Sequence, residues 1–393
     1  RGAKNGEWWS MNSQRALSNN SYVAQRERPT LGTCIDEWKS LYESKSGERG
    51  VFSRYGAQAQ AKKTERRDPD RDFGTNPCSE IILRNREFCN LSEVVVREQD
   101  TLASLKQKVR LATILGTFQS TLTTFKYISK EWAKNCKEER LLGVSLTGIM
   151  DSVRTNGTEP GLEKRLDTLR GVAVATNKEF AAELKIPQSA SVTCVKPSGT
   201  VSNLVDAASG IHARHAEYYV RTVRADKQDP LAKFMIEAGF YAESDVTRPE
   251  NTWVFYFPQK APKGAVTRNE RTAIEQLEFW RLYQNHWCEH KPSATIYVQE
   301  EEWLDVGAWI YRHFDTVSGL AFLPNLEHIY KQAPYIDCTK EEYEEWAKKV
   351  PAKVNWTKLA AYEKLDTTTG SQELACTAGA CDLVDIPSRG SAK

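Results

Sequence analysis

No stretch of the chain strings together the roughly eighteen apolar residues that a membrane-crossing helix needs, so the sequence excludes a helical membrane span. Secretory signal and regular cysteine spacing are both missing; the nine cysteines, an odd number, argue against a disulfide framework and for a reducing cytosol. A surplus of one charge is lacking too. Lys plus Arg number 54 and Asp plus Glu 52, and a net charge of +2 speaks against a general polyanion-binding surface, nucleic acid included. Any phosphate site is therefore expected to be a small pocket. There is no internal repeat and no initiating methionine. The chain opens at Arg1 with "RGAKNGEWWSMNSQRALSNNS", which reads as the middle of an ordered region, so an N-terminal part is expected to be missing.

What is there is ample core material. At 393 residues and 40% hydrophobic, the chain exceeds a typical single core and predicts one large α/β unit or two domains. "CIDEWKSLYESK" has a helical pattern, and the polar run 56–74, "GAQAQAKKTERRDPDRDFG", reads as a solvated loop. An amphipathic helix is expected from Thr101 to about Phe125, with further helices over 160–185, 270–286 and 300–315. Between them "RLLGVSLTGIMD", "SASVTCV", "IYVQ" and "GLAFLP" read as buried strands. This alternation suggests an α/β sheet or barrel. After residue 365 small and polar residues dominate, as in a mobile tail.

The first stretch that can carry chemistry is "NPCSEIILRNREFCNLSE", 76–93. Pro77 biases Asn76 away from helical geometry, and in an extended segment Asn76, Cys78 and Glu80 project to one face. A second strand, "FCNLSEVVV", can bring Cys89 back toward them. Set against this, both cysteines suit small core positions and Glu80 an exposed strand end. Near the chain's end, Cys376 and Cys381 are spaced to form a dithiol that attacks a disulfide by exchange; half a zinc site or two idle thiols are the alternatives. In "KPSGTVS", Ser198, Gly199 and Thr200 sit where a strand hands over to a helix and can cradle a phosphate, although a plain turn has the same composition. "NHWCEH" places His286, Cys288 and His290 at alternate positions, but lacks a fourth ligand and leads straight into "KPSATIYVQ", so it reads as strand entry and not as a metal site. The aromatics of "HARHAEYYVRTVR" read as core residues at a strand start.

Six separated motifs occur in one order: "NPCSEI" with "CNLSEV", "GVSLTGIMD", "KPSGTVSNL", "SGIHARHAEYYVRTVR", "FLPNLEHIYKQAPY" and the terminal cysteine pair. In this the chain resembles the adenosylcobalamin-dependent (class II) ribonucleotide reductases, specifically the C-terminal portion of the monomeric ribonucleoside-triphosphate reductase type. The resemblance runs from "SMNSQRALSNNS" to the tail.

It implies a ten-stranded α/β barrel, here its C-terminal part over 1–330, with a finger loop near 74–82, a helical segment over 331–365 and a mobile redox tail over 366–393. It implies a thiyl radical on Cys78 generated by adenosylcobalamin and its cobalt, Glu80 as base toward the ribose 3′ hydroxyl, Asn76 as the group that orients the sugar, and Cys89 as one member of a reducing pair. Cys376 and Cys381 become the relay to thioredoxin or a similar dithiol. Ser198, Gly199 and Thr200 become phosphate contacts, with Asn19 and Asn20 as further substrate contacts. The partner of Cys89 and the effector site are implied to lie in a missing N-terminal half, so the chain alone is not expected to turn over. The large subunit of an iron-dependent reductase, or an inactive fragment that binds nucleotide or a partner chain, are the competing readings.

Overall fold

The computed structural model of the chain describes residues 21–24, 27–44, 50–325 and 332–364. Asn19, Asn20, Cys376 and Cys381 lie outside the described residues, as does the tail that carries the cysteine pair.

In chain order the elements begin with β1 (Ser21–Ala24), α1 (Leu31–Ser44), β2 (Gly50–Ser53) and α2 (Arg54–Lys62). Then come β3 (Phe73–Thr75), β4 (Ile82–Arg84), β5 (Asn90–Val95), α3 (Leu102–Gln119) and α4 (Lys130–Glu139). β6 (Leu142–Thr147), α5 (Leu162–Glu183), β7 (Thr193–Cys194) and α6 (Gly199–Leu204) follow. After these are β8 (Tyr218–Asp226), α7 (Pro230–Glu237), β9 (Ala242–Ser244), β10 (Thr252–Lys260), α8 (Ala273–His286) and β11 (Thr295–Val298). The series closes with α9 (Trp303–Arg312), β12 (Ala321–Pro324), β13 (Tyr335–Asp337), α10 (Lys340–Lys348) and α11 (Leu359–Tyr362).

These elements form two compact units, one of residues 21–214 and 263–325, the other of 215–262 and 332–364. The first is α/β. Its strands pair as β5-β6-β7, β1-β2 and β11-β12, all parallel, plus the antiparallel hairpin β3-β4. Parallel strands covered on both faces lose the in-out alternation, and β6, "LGVSLT", is buried at all six positions. Helices α3 and α5 carry the chain between the parallel strands; α3 starts in a capping box in which the Ser104 N–H donates to the Thr101 hydroxyl at 3.2 Å and the Thr101 N–H to the Ser104 hydroxyl at 3.0 Å. Among the described residues the strands lie in small separate sheets.

The run 56–74 departs from the expected loop. Its first part is α2, capped by the Ser53 hydroxyl, which accepts from the Gly56 N–H at 2.9 Å, and Gly56, Ala57, Gln60 and Ala61 are buried. Small residues allow the close packing: a Cβ on Gly56 would lie 2.9 Å from the Val317 carbonyl. Farther along, Arg67 is buried against Glu139 at 2.7 Å and Glu87 at 3.5 Å, so the charges of the run face carboxylates as well as solvent.

The second unit is built on the antiparallel sheet β13-β8-β10-β9. Aromatic pairs hold α10 to it: Trp346 stacks on Tyr256 with ring centroids 5.0 Å apart. Among the described residues no helix is long and apolar enough to cross a membrane.

Candidate active site

The residues 76–80 do not continue as a strand; they form the tight turn of the β3-β4 hairpin. Asn76 organises it from both ends. Its carbonyl accepts from the Ser79 N–H at 2.9 Å, and its side-chain Oδ1 accepts from the Ile81 N–H at 3.0 Å. Pro77 excludes helix at Asn76, and an Asn side chain that bonds to nearby backbone is a turn former. Ser79 takes φ 69°, the left-handed region that costs a residue with a Cβ about 1 kcal/mol or more. Ile81 and Ile82 then bury completely and seat the second arm.

The expected single extended face is therefore replaced by a turn, yet the three side chains still share it. Cys78 is half-buried at its tip, and its carbonyl accepts from the Ser293 hydroxyl at 2.7 Å. Glu80 is not an exposed strand-end charge: it is 2% exposed, and its Oε2 is buried with no hydrogen-bond partner among the described residues. Burial pushes the Glu80 carboxyl above its ordinary range; the Asn76 side chain, the Glu80 backbone N–H and the Lys291 and Lys196 ammonium groups pull the other way. Cys89, just before β5, is partly buried. Its thiol is pushed well up by burial, with the Glu80 and Glu87 carboxylates adding to the effect.

Sequence reasoning missed the loop that braces this hairpin, residues 289–293. Glu289 takes the Arg66 guanidinium on both oxygens at 2.6 Å and accepts from the Val192 N–H at 2.8 Å. His290, wholly buried, accepts from the Ile82 N–H at Nδ1, 3.3 Å away, so its proton sits on Nε2 facing the Leu142 carbonyl at 3.1 Å. The ring is neutral, with its pKa held well below the usual histidine value by burial. Lys291, also wholly buried, donates from its backbone N–H to the Glu80 carbonyl at 3.2 Å and from Nζ to the Ser79 hydroxyl at 2.8 Å. One sequence signal existed: Lys-Pro-Ser occurs at 196–198 and again at 291–293. The two copies lie side by side through a parallel bridge between Val195 and Pro292, with the Ser293 N–H donating to the Val195 carbonyl at 2.8 Å.

The first Lys-Pro-Ser segment holds the expected phosphate contacts. Ser198 is the left-handed residue (φ 55°) before α6; its side chain is buried and its hydroxyl donates to Glu93, which also pairs with Lys196 at 3.0 Å. Gly199 is half-buried and Thr200 exposed at the start of that helix. His286 pairs with Asp167 at 3.0 Å and Cys288 is buried in the core, so with His290 the three residues of "NHWCEH" have three different surroundings. Among the described residues no group of three or more His, Cys, Asp or Glu is arranged to hold a metal ion. Cys194, on β7, is a further buried thiol; burial raises its pKa first, then the nearby Glu80 and Cys89.

The hairpin thus carries a carboxyl kept dry and a half-buried cysteine two residues before it, with a second, partly buried cysteine just ahead of β5. No protein-family profile matches the chain. It is 30% identical to the adenosylcobalamin-dependent ribonucleoside-triphosphate reductase of Euglena gracilis over 81% of its own length and 43% of that protein's. The protein of the same name from Lactobacillus acidophilus is 28% identical, over 79% and 45%. With that of Lacticaseibacillus paracasei the identity is 27%, over 94% and 53%. Among solved structures, a B12-dependent (class II) ribonucleotide reductase superposes with a TM-score of 0.72, covering 91% of this chain and 53% of that one at 23% identity. The chain spans about half the length of the curated relatives it matches. The resemblance read from the motifs is thus borne out, and the chain has an α/β fold of the ribonucleotide reductase type.

Proposed function

We propose that the chain carries the catalytic thiol and base of an adenosylcobalamin-dependent ribonucleoside-triphosphate reductase. The observation that supports this best is the buried Glu80 carboxyl with its unpaired Oε2, held in the same turn as the half-exposed Cys78. A buried acceptor without a partner is costly and is rare in folded proteins, so it marks a place where a ligand hydroxyl completes the hydrogen bonding.

When bound, adenosylcobalamin supplies a radical by homolysis of its cobalt–carbon bond, chemistry no side chain can start alone. What this chain would offer that radical is an approachable thiol; Cys78, half-buried at the tip of a hairpin turn, fits. In this reading Cys78, as a thiyl radical, takes the hydrogen atom from ribose C3′, so that the C–H bond breaks, an S–H bond forms and the unpaired electron passes to the carbon. Glu80 Oε2 accepts the proton of the 3′ hydroxyl, and its raised pKa suits a group that must later give that proton back. Asn76 positions the sugar next to Glu80. Loss of the 2′ hydroxyl as water takes two electrons and two protons from a thiol pair, of which Cys89 is one. Its high thiol pKa keeps it protonated until needed.

The finer parts of the reading are a ten-stranded barrel with 74–82 as its finger loop, completed by an N-terminal half that holds the partner of Cys89, and a tail over 366–393. There Cys376 and Cys381 re-reduce the active-site disulfide by exchange and are recycled by thioredoxin or a similar dithiol. Ser198, Gly199 and Thr200 receive the substrate phosphates, for which the Ser198 hydroxyl has to leave Glu93. Asn19 and Asn20 stay proposed substrate contacts.

The test mixes this chain with the complementary half of a curated relative, adenosylcobalamin, a ribonucleoside triphosphate and a dithiol, and measures deoxynucleotide. Product with the native chain and none with Cys78→Ser is expected. Absence of product when the halves associate and cofactor is bound would overturn the reading in favour of an inactive fragment.

A further inference from the structure

Lys291 is a long cationic side chain with no exposed surface, sitting under the turn that carries Cys78 and Glu80. Its ammonium occupies a slot that exists because residue 319 is glycine. There it donates to the Ser79 hydroxyl at 2.8 Å and to the Gly319 carbonyl at 3.2 Å; a Cβ at Gly319 would overlap both Lys291 Nζ and Ser79 Oγ. The backbone of Lys291 is tied to the same hairpin through the Glu80 carbonyl at 3.2 Å. Ser79 is the residue in the turn whose backbone lies in the left-handed region, at φ 69°.

We propose that Lys291 is a positioning residue, which holds Ser79 in its left-handed conformation and so fixes how Cys78 and Glu80 are presented to a ligand. Several features favour this over a plain core role. A buried ammonium is expensive unless its donors are used, and Lys291 spends one on a side chain of the turn itself. Gly319 is the complementary piece, an empty Cβ position that admits the cation. Ser79 is a costly choice for a left-handed site where glycine would be free of strain, and its hydroxyl is what the lysine grips. The ammonium also lies near enough to Glu80 to favour the ionised carboxylate, with Lys196 helping from the other Lys-Pro-Ser copy. The inference rests on the reductase reading for the meaning of Cys78 and Glu80, but its test does not need turnover.

The experiment uses the full chain without cofactor or substrate and measures, by peptide mass spectrometry, the rate at which iodoacetamide alkylates Cys78, with the buried Cys194 and Cys288 as internal reporters of global opening. Lys291→Met removes the cation, Ser79→Gly removes the strain and the hydroxyl, and the double variant closes the cycle. Losing a charge-assisted hydrogen bond that fixes the turn should change the Cys78 rate about tenfold in Lys291→Met. In the Ser79→Gly background the same change should shrink to about twofold or less, since nothing is left for the lysine to grip. Lys291→Arg should restore part of the native rate. An equal effect of Lys291→Met in both backgrounds, or acceleration of Cys194 and Cys288 alongside Cys78, would reduce Lys291 to general core support and overturn the proposal. Should Lys291→Met fail to fold, Ser79→Ala, which keeps the cation and removes its acceptor, must shift the Cys78 rate by a similar factor; an unchanged rate there also overturns it. Deoxynucleotide assays on the native chain decide the reductase reading separately.

Discussion

The two Lys-Pro-Ser segments stand side by side and share their parts: each has a lysine, a serine held in the left-handed region nearby, and a glutamate within reach. They use them in opposite ways. At the first, Lys196 and the Ser198 hydroxyl both close on Glu93, and the carboxylate is satisfied. At the second, Lys291 grips Ser79 and the neighbouring Glu80 keeps a buried oxygen without a partner among the described residues. A closed acid, serine and lysine cluster stabilises a turn; an open one keeps an acceptor available for a further hydrogen bond. The same residue types are therefore closed on one another in one place and left open in the other. The difference is whether the charges meet.

The comparison is broken most sharply by Glu80→Gln. Loss of a general base should lower deoxynucleotide formation by about 10²- to 10⁴-fold in the complemented assay. The same substitution should not destabilise the fold at neutral pH. Because the folded Glu80 pKa is raised, its stabilising contribution is full below the ordinary carboxyl value and is lost as pH climbs through the folded value, and the Gln variant lacks that loss. Urea midpoints across pH 4 to 8 read it out; a variant less stable than the native chain at neutral pH would mean that the carboxylate is already satisfied.

Next in size is Lys291. Burial pushes its pKa down to about 7, against the pull of Glu80. Lys291 is thus the ammonium below about pH 7; above it the folded chain releases the proton and Nζ keeps its contacts to Ser79 and Gly319 as a neutral amine. The unfolded chain still holds the proton there, so stability should rise from about pH 7 toward the ordinary lysine value, by a few kcal/mol in all. In Lys291→Met this rise should vanish from the urea midpoints.

Glu93→Gln tests the closed cluster. Breaking its charge-assisted bonds to Lys196 and Ser198 should cost about 1–3 kcal/mol in urea unfolding, the loss that Glu80→Gln is expected not to show. Equal losses at both glutamates would erase the contrast. Smallest is Thr101→Ala, which removes one arm of the capping box on α3 and should cost about 1 kcal/mol while leaving Cys78 alkylation unchanged.

Much of the first unit was legible. Helices α3, α5, α8 and α9 fall inside the ranges their apolar patterns predict, and β6, β11 and β12 fall where buried apolar runs stand between them. These elements follow from local periodicity. Helix α2 was not legible, because its buried face is made of Gly56, Ala57 and Ala61, whose small side chains give a weak apolar signal inside a charged run. The grouping of 215–262 with 332–364 joins stretches some 70 residues apart, which no local pattern reports.

The site divides along the same line. Asn76, Cys78, Glu80 and Cys89 could be singled out because their types and spacing are unusual for a plain strand. Their turn conformation could not, since it depends on Ser79 being held by a lysine 212 positions away. Lys291 and Gly319 look unremarkable in the sequence: one is a charge at a strand entry, the other a loop glycine.

Sequence by itself determined the kind of protein, an α/β chain with a thiol, an amide and a carboxyl set close together, because backbone periodicity and residue chemistry are local properties. Tertiary structure alone decided which glutamate is left open and which is closed. That choice depends on which ammonium group folding brings to each carboxylate and on how completely water is excluded around it, and both are settled only when distant segments pack.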